Sequence, residues 1–366
     1  MTNAVFITVV LLRFAIPLFI PRFPLPAVFA ALVLDAADQT IFQLFTDSPL
    51  KGYQSYDKAL DIYYLAIAYV ATMRNWRDPV AFEVARFLYL YRLVGVTLFE
   101  LTHYRWLLLV FPNTFEYFFI AYEAVRTRWN PRRLTATAIL GMAAFIWVFI
   151  KLPQEWWIHI AKLDFTEFMA ARPQLWYVMF GLVAAALGTL YWQRARIPQA
   201  DWSFTVDVDH HREAPDGPAP GPTRFWSAVL VEKSVFLALV SVIFAQILPS
   251  LGVGNLGLAV GVVLLVVLNA AVSRALRCRG RSWATSIGQF MAMLLINLAL
   301  VLADVVVGPQ QLSEVPVTDT LFLVVLLSLL IALFDRYRDT RPSVERPHVC
   351  ALVRAERAQR LTGVQP

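Results

Sequence analysis

Four aspartates in one short stretch have the types and spacing that could do chemistry. Within LDAADQTIFQLFTDSPLKGYQSYDKALDIYYL, residues 34–65, Asp35 and Asp38 stand three apart at the end of one apolar run. Asp57 and Asp61 stand four apart at the start of the next. Residues three or four apart share a helix face, so two successive helices each offer a pair of carboxylates at a common edge. Four carboxylates brought together repel one another unless protons or a cation compensate. Hard oxygen donors of this kind suit a divalent cation such as Mg²⁺, Mn²⁺ or Ca²⁺.

A second polar set follows in RDPVAFEVARFLYLYRLVGVTLFELTH. Glu83, Arg86, Tyr89, Arg92, Glu100 and His103 recur in steps of three, or of four with Val96 between Arg92 and Glu100. They form one helical stripe. Charges on a lipid-facing surface are costly, so the stripe is expected to face the interior of a bundle. There Arg92 can meet a phosphate or an acidic side chain, with Glu116 and Glu123 on the next helix as partners. The remaining histidines carry less weight. His159 and its charged neighbours read as the wet face of an interfacial helix, and His210 and His211 belong to a polar loop.

The elements that must position these groups are apolar helices. Of the 366 residues, 58% are hydrophobic, 14% aromatic and 16% charged, where a soluble chain carries about 25% charge. That balance excludes a soluble catalytic domain and predicts an all-α, polytopic integral membrane protein. Apolar runs lie near 4–20, 24–45, 59–73, 80–103, 104–125, 134–150, 174–192, 225–248, 252–273, 283–307 and 320–334. They amount to about ten or eleven spans, with an interfacial helix expected over 151–173. The chain divides into an N-terminal bundle with the acidic cluster (1–192), a flexible polar loop (193–224), C-terminal spans (225–335) and a basic tail (336–366). The net charge of +6 comes largely from Arg beside span ends, so no nucleic-acid partner is expected. Cys278 and Cys350 fall in basic segments and imply no disulfide framework. The first run has no basic segment before it and reads as a retained span.

Arg274, Arg277, Arg279 and Arg281, then Arg336, Arg338 and the tail, mark the cytoplasmic side of the last spans. The acidic cluster has two possible sides. Counting every run as a span puts Arg74 and Arg77 inside and the aspartates outside. Counting 80–103 as a partial span reverses both.

The pattern Asp-x-x-Asp followed by Asp-x-x-x-Asp across successive helices, preceded by LLRFAIPLF, resembles the signature of CDP-alcohol phosphatidyltransferases over roughly residues 8–70. The resemblance implies Asp35, Asp38 and Asp57 as ligands of Mg²⁺ or Mn²⁺ and Asp61 as the general base. Tyr53, Arg92, Glu100 and His103 are then expected to hold substrate. The family's small residues are replaced here by Gln39 and Tyr53, and its Ala-Arg pair by Phe42-Gln43. This departure implies another lipid-linked substrate. The expected function is a metal-dependent membrane transferase of lipid or cell-envelope metabolism, in the plasma membrane with its C-terminus in the cytoplasm. An outward-facing glycosyltransferase using a polyprenyl-phosphate sugar, or a non-enzymatic transporter, channel or assembly factor, are the other classes that fit the same charges.

Overall fold

A computed structural model of the chain describes residues 2–45, 53–161, 171–193, 198–211, 228–247 and 317–338, with a few isolated positions besides. The described residues are mostly helical, without a strand among them. The helices are α1 (Thr2–Ala15), α2 (Pro24–Phe45), α3 (Tyr53–Asn75), α4 (Pro79–Thr102), α5 (Trp106–Val110), α6 (Thr114–Arg126), α7 (Ala136–Ile160), α8 (Leu175–Gln193), α9 (Ala228–Ile247) and α10 (Val317–Arg338). The runs expected at 252–273 and 283–307, the loop arginines Arg274 to Arg281, both cysteines and the tail beyond Arg338 lie outside the described residues.

One helix among the described residues, α7, is long and apolar enough by itself to cross a membrane. Helices α3 and α4 have the length, but each carries four charged residues. Most of the described helices pack into a bundle with an apolar and aromatic core. Helix α3 is its axis: Tyr63, Ala66, Ile67, Tyr69 and Val70 are fully buried, with α1, α2, α4, α9 and α10 packed around them. Tyr69 stacks on Tyr89 of α4 at 4.4 Å between ring centroids; Tyr69 meets Phe115 and Phe236 edge-on, and Tyr89 meets Phe115 edge-on and Phe236 at a tilt. Lys233 of α9 holds Asp335 of α10 at 2.9 Å, a polar contact between helices.

Two elements depart from the hydropathy pattern. Helix α4 begins where Asp78 caps the Ala81 amide at 2.9 Å, with Pro79 in the first turn. It ends at His103, in the left-handed conformation (φ 57°). The chain then doubles back. Helix α5 runs down beside α4, where Tyr91 Oη donates to the Val110 carbonyl (3.0 Å) and Arg92 Nη1 to the Phe111 carbonyl (2.8 Å). The approach is so close that a Cβ on Gly95 would overlap the Phe111 side chain. The apolar run expected at 104–125 is therefore a broken helix, interrupted at Phe111–Asn113.

Helix α7 is the second departure. Composition predicts an interfacial helix from residue 151, but the helix begun at Ala136 continues to Ile160. Pro153 lacks the amide that an α-helix interior needs. Wide π turns at Ile146–Lys151 and Trp156–Ile160 flank it and carry the helix through.

Residues 198–211, expected to belong to a flexible loop, are docked across one end of the bundle. Asp207 pairs with Arg22 (3.1 Å), Asp209 with Arg74 (2.5 Å) and Asp201 with Arg133 (2.8 Å). Trp202 Nε1 donates to the Arg126 carbonyl at 3.2 Å. Opposite charges hold the segment that its polar composition alone would free.

Candidate functional site

The first two helices and α3 bring three of the four aspartates together, around a residue that the spacing did not single out. Arg13, near the end of α1, reaches Asp38 through Nη1 at 2.5 Å. Its Nη2 reaches Asp35 at 2.5 Å and Asp61 at 2.8 Å. Arg13 and Asp38 are buried, whereas the side chains of Asp35 and Asp61 are 39% and 44% exposed. The cluster therefore has a closed floor and an open rim. Its fork of donors suits a guanidinium, which can serve several carboxylates in fixed directions. Tyr53 and Asp57 lie in the first turns of α3, where side chains fall outside the described residues.

A Mg²⁺ or Mn²⁺ site is the sequence's expectation at these aspartates. Among the described residues no group of three or more His, Cys, Asp or Glu side chains is arranged to hold one metal ion. Asp35, Asp38 and Asp61 each turn an oxygen toward Arg13.

The stripe on α4 serves several partners rather than one. Arg86 pairs with Glu83 on the same helix and with Glu232 of α9 at 3.6 Å. Glu100 is buried and meets the exposed Lys58 of α3 at 3.7 Å, at the same end as the acidic cluster. His103 is exposed at the end of α4. Glu123 binds Arg126 and the Trp76 indole, far along α6 from Arg92.

Arg92 belongs to a second polar centre, at the break between α5 and α6. Asn113 links that break to two glutamates. Its amide donates to Glu155 Oε1 at 3.0 Å and its Nδ2 to Glu116 Oε2 at 2.7 Å. Tyr64 Oη donates to the other Glu116 oxygen, and His159 Nε2 lies 2.9 Å from Glu155. Lys151 is only 4% exposed, and its ammonium sits 3.7 Å from the centre of the Tyr117 ring. Arg92, Lys151, Glu116 and Glu155 lie within electrostatic reach of one another, as do Glu116 and Asp35 of the first cluster. The expectation that the charges after residue 150 are solvated is overturned for Lys151 and Glu155, which are buried. Their signal was in the sequence: Lys151, Glu155 and His159 recur four apart on a helix otherwise apolar. The π turns keep that series on the side facing the break.

Comparison with protein-family models, curated proteins and solved structures finds no match to this chain.

Proposed function

We propose that this chain is a polytopic membrane transferase that works on a lipid-phosphate-linked donor at the membrane face opposite its arginine-rich end. Support for the membrane comes from the helix surfaces. Helix α8 leaves Tyr177, Phe180, Leu182 and Leu187 exposed, with Trp176 near one end and Trp192 near the other. Apolar flanks between aromatic ends match a lipid slab bounded by two interfaces. On α3 and α4 the charges are divided: Glu100 is buried and Arg92 is turned to the Phe111 carbonyl, whereas Lys58 and Glu83 are exposed near the helix ends.

The observation that carries the side of action is the separation of the two ends of α3. Arg74 closes one end, near Arg22, Arg126 and the strap of residues 198–211. Asp61 lies thirteen residues earlier, about 20 Å along the axis. Arginine-rich ends face the cytoplasm. The acidic rim then opens on the outer face. This favours the glycosyltransferase reading over a cytoplasmic CDP-alcohol phosphatidyltransferase.

In this reading an acceptor hydroxyl attacks the anomeric carbon of a polyprenyl-phosphate sugar. The carbon–oxygen bond to phosphate breaks, polyprenyl phosphate leaves, and Asp61 takes the hydroxyl proton. Arg13 fixes the direction of Asp61 while Asp35 lines the other side of the rim. Transfer from a labelled polyprenyl-phosphate hexose in proteoliposomes tests the assignment. D61N is expected to lower the rate by roughly 10²–10⁴-fold, the usual contribution of a general base. Full transfer by D61N and D35N would refute it.

A further inference from the structure

We infer that the cleft between α4 and α7 is the binding groove for the hydrocarbon chain of a lipid phosphate, with Arg92 and Lys151 as the receptors for its phosphate. The groove is open and has a volume of about 580 Å³. Its walls include Val84, Phe87 and Leu88 from α4 and Leu140, Ala144 and Trp147 from α7, with Glu83 its one charged residue. Glu83 is already paired with Arg86. A groove this apolar offers nothing to a sugar or a peptide backbone and suits an alkyl or prenyl chain.

What lies beyond it selects the headgroup. The last groove residues on the two helices are Leu88 and Trp147. One turn further along each helix, four residues on, stand Arg92 and Lys151. Arg92 uses one donor, on the Phe111 carbonyl. The buried Lys151 ammonium makes no hydrogen bond and no ion pair within 4.0 Å among the described residues, only the contact with the Tyr117 ring. A buried ammonium with three unspent donors is costly unless an anion completes it. The N-terminus of α6 adds to the same field: Asn113 makes no side-chain cap there, and Tyr117 lies in its first turns. Glu116 and Glu155 share the field of both cations, but neither places an oxygen within 4.0 Å of the Lys151 ammonium. Glu116 is held by Tyr64 and Asn113, and Glu155 by His159 and the Asn113 amide. A tail channel ending in two cations is complementary to a lipid phosphate, and a free phosphate would leave the channel unused.

The identification of that lipid as the donor rests on the transferase reading; the groove does not. Binding of a polyprenyl phosphate to the full-length protein in detergent, measured directly, tests it. K151M is expected to weaken binding roughly tenfold or more, as loss of a charged hydrogen-bond donor does, and K151R to restore it. A144F, which fills an exposed wall of the groove without touching the buried centre, should weaken binding too. The uncharged polyprenol should bind poorly, and inorganic phosphate should compete poorly. Unchanged binding in both K151M and A144F would overturn the inference, as would polyprenol binding as well as its phosphate. Full competition by inorganic phosphate would overturn it in favour of a small-anion site. D61N separates the two ideas: bound lipid with transfer lost supports both, whereas bound lipid with transfer intact removes the base and leaves the groove.

Discussion

Removing the Arg13 guanidinium would take away the positive charge that Asp35, Asp38 and Asp61 share. Breaking a buried pair by deleting one partner costs about 3–5 kcal/mol. The open rim at Asp35 and Asp61 lets water screen two of the three carboxylates, so R13Q should cost about 3 kcal/mol, the lower end of that range. The detergent-solubilised variant is expected to unfold at a lower temperature than the parent chain. Loss of the Arg13 charge leaves the cluster more negative, so Mn²⁺ should raise the melting point of R13Q more than that of the parent. Equal melting points, with no differential response to Mn²⁺, would show that Arg13 does not organise the cluster. The aspartate pairs were legible because three- and four-residue spacing defines a face. Arg13 was not, since it lies 22 to 48 residues from its partners and helical period says nothing at that range. A lone arginine inside an apolar run was the available sign that some partner must exist.

At the level of elements, hydropathy located the helices and failed where backbone geometry decides. The run at 24–45 became α2 with the same bounds, and 80–103 became α4 within a residue at each end. The run at 104–125 hid a break, because Phe111 and Pro112 are as apolar as the helices they separate. The run ending at 150 was cut short at Lys151, since a charge followed closely by Pro153 reads as a helix end. The Tyr117 ring beside Lys151 and the Asn113 amide on Glu155 instead hold the helix as it continues. Gly95 tests the broken helix directly. In an ordinary helix interior Gly→Ala stabilises by up to about 1 kcal/mol. Gly141 in α7 has open space within 4 Å of where a methyl group would stand, so G141A should follow that rule. At Gly95 the same methyl would overlap Phe111, and overpacking costs about 1–3 kcal/mol. G95A is therefore expected to change sign and lower the melting temperature while G141A leaves it unchanged or raises it. A stabilising G95A would mean that Phe111 does not rest against α4.

For the whole molecule, one polarity organises everything above: aspartates and a broken helix toward one end, arginines and an acidic strap toward the other. That polarity could not be extracted from the sequence, because counting 80–103 as a full or a partial span gives opposite sides. In the folded chain Arg22, Arg74, Arg126 and Arg133 gather around the same segment, residues 198–211, although they come from four different parts of the chain. The positive-inside bias acts on such local sums of charge rather than on any single loop. Two exposed positions report the outcome without touching the site's buried floor. Lys58 lies one turn before Asp61, with more than half its side chain exposed, and Ser203 is exposed within the strap. With Cys278 and Cys350 replaced by serine, K58C should react with a membrane-impermeant maleimide in intact cells, and S203C only after the membrane is opened. The reverse pattern would put the aspartates in the cytoplasm, where nucleotide-activated lipids are the available donors. It would exchange the glycosyltransferase reading for the phosphatidyltransferase one while leaving the Arg13 cluster and the α4–α7 groove as they stand. Because the strap is bound to Arg74 at the far end of α3 from Lys58, labelling of both positions from outside would mean that α3 does not separate the two faces of the membrane, and the assignment of sides would fall with it.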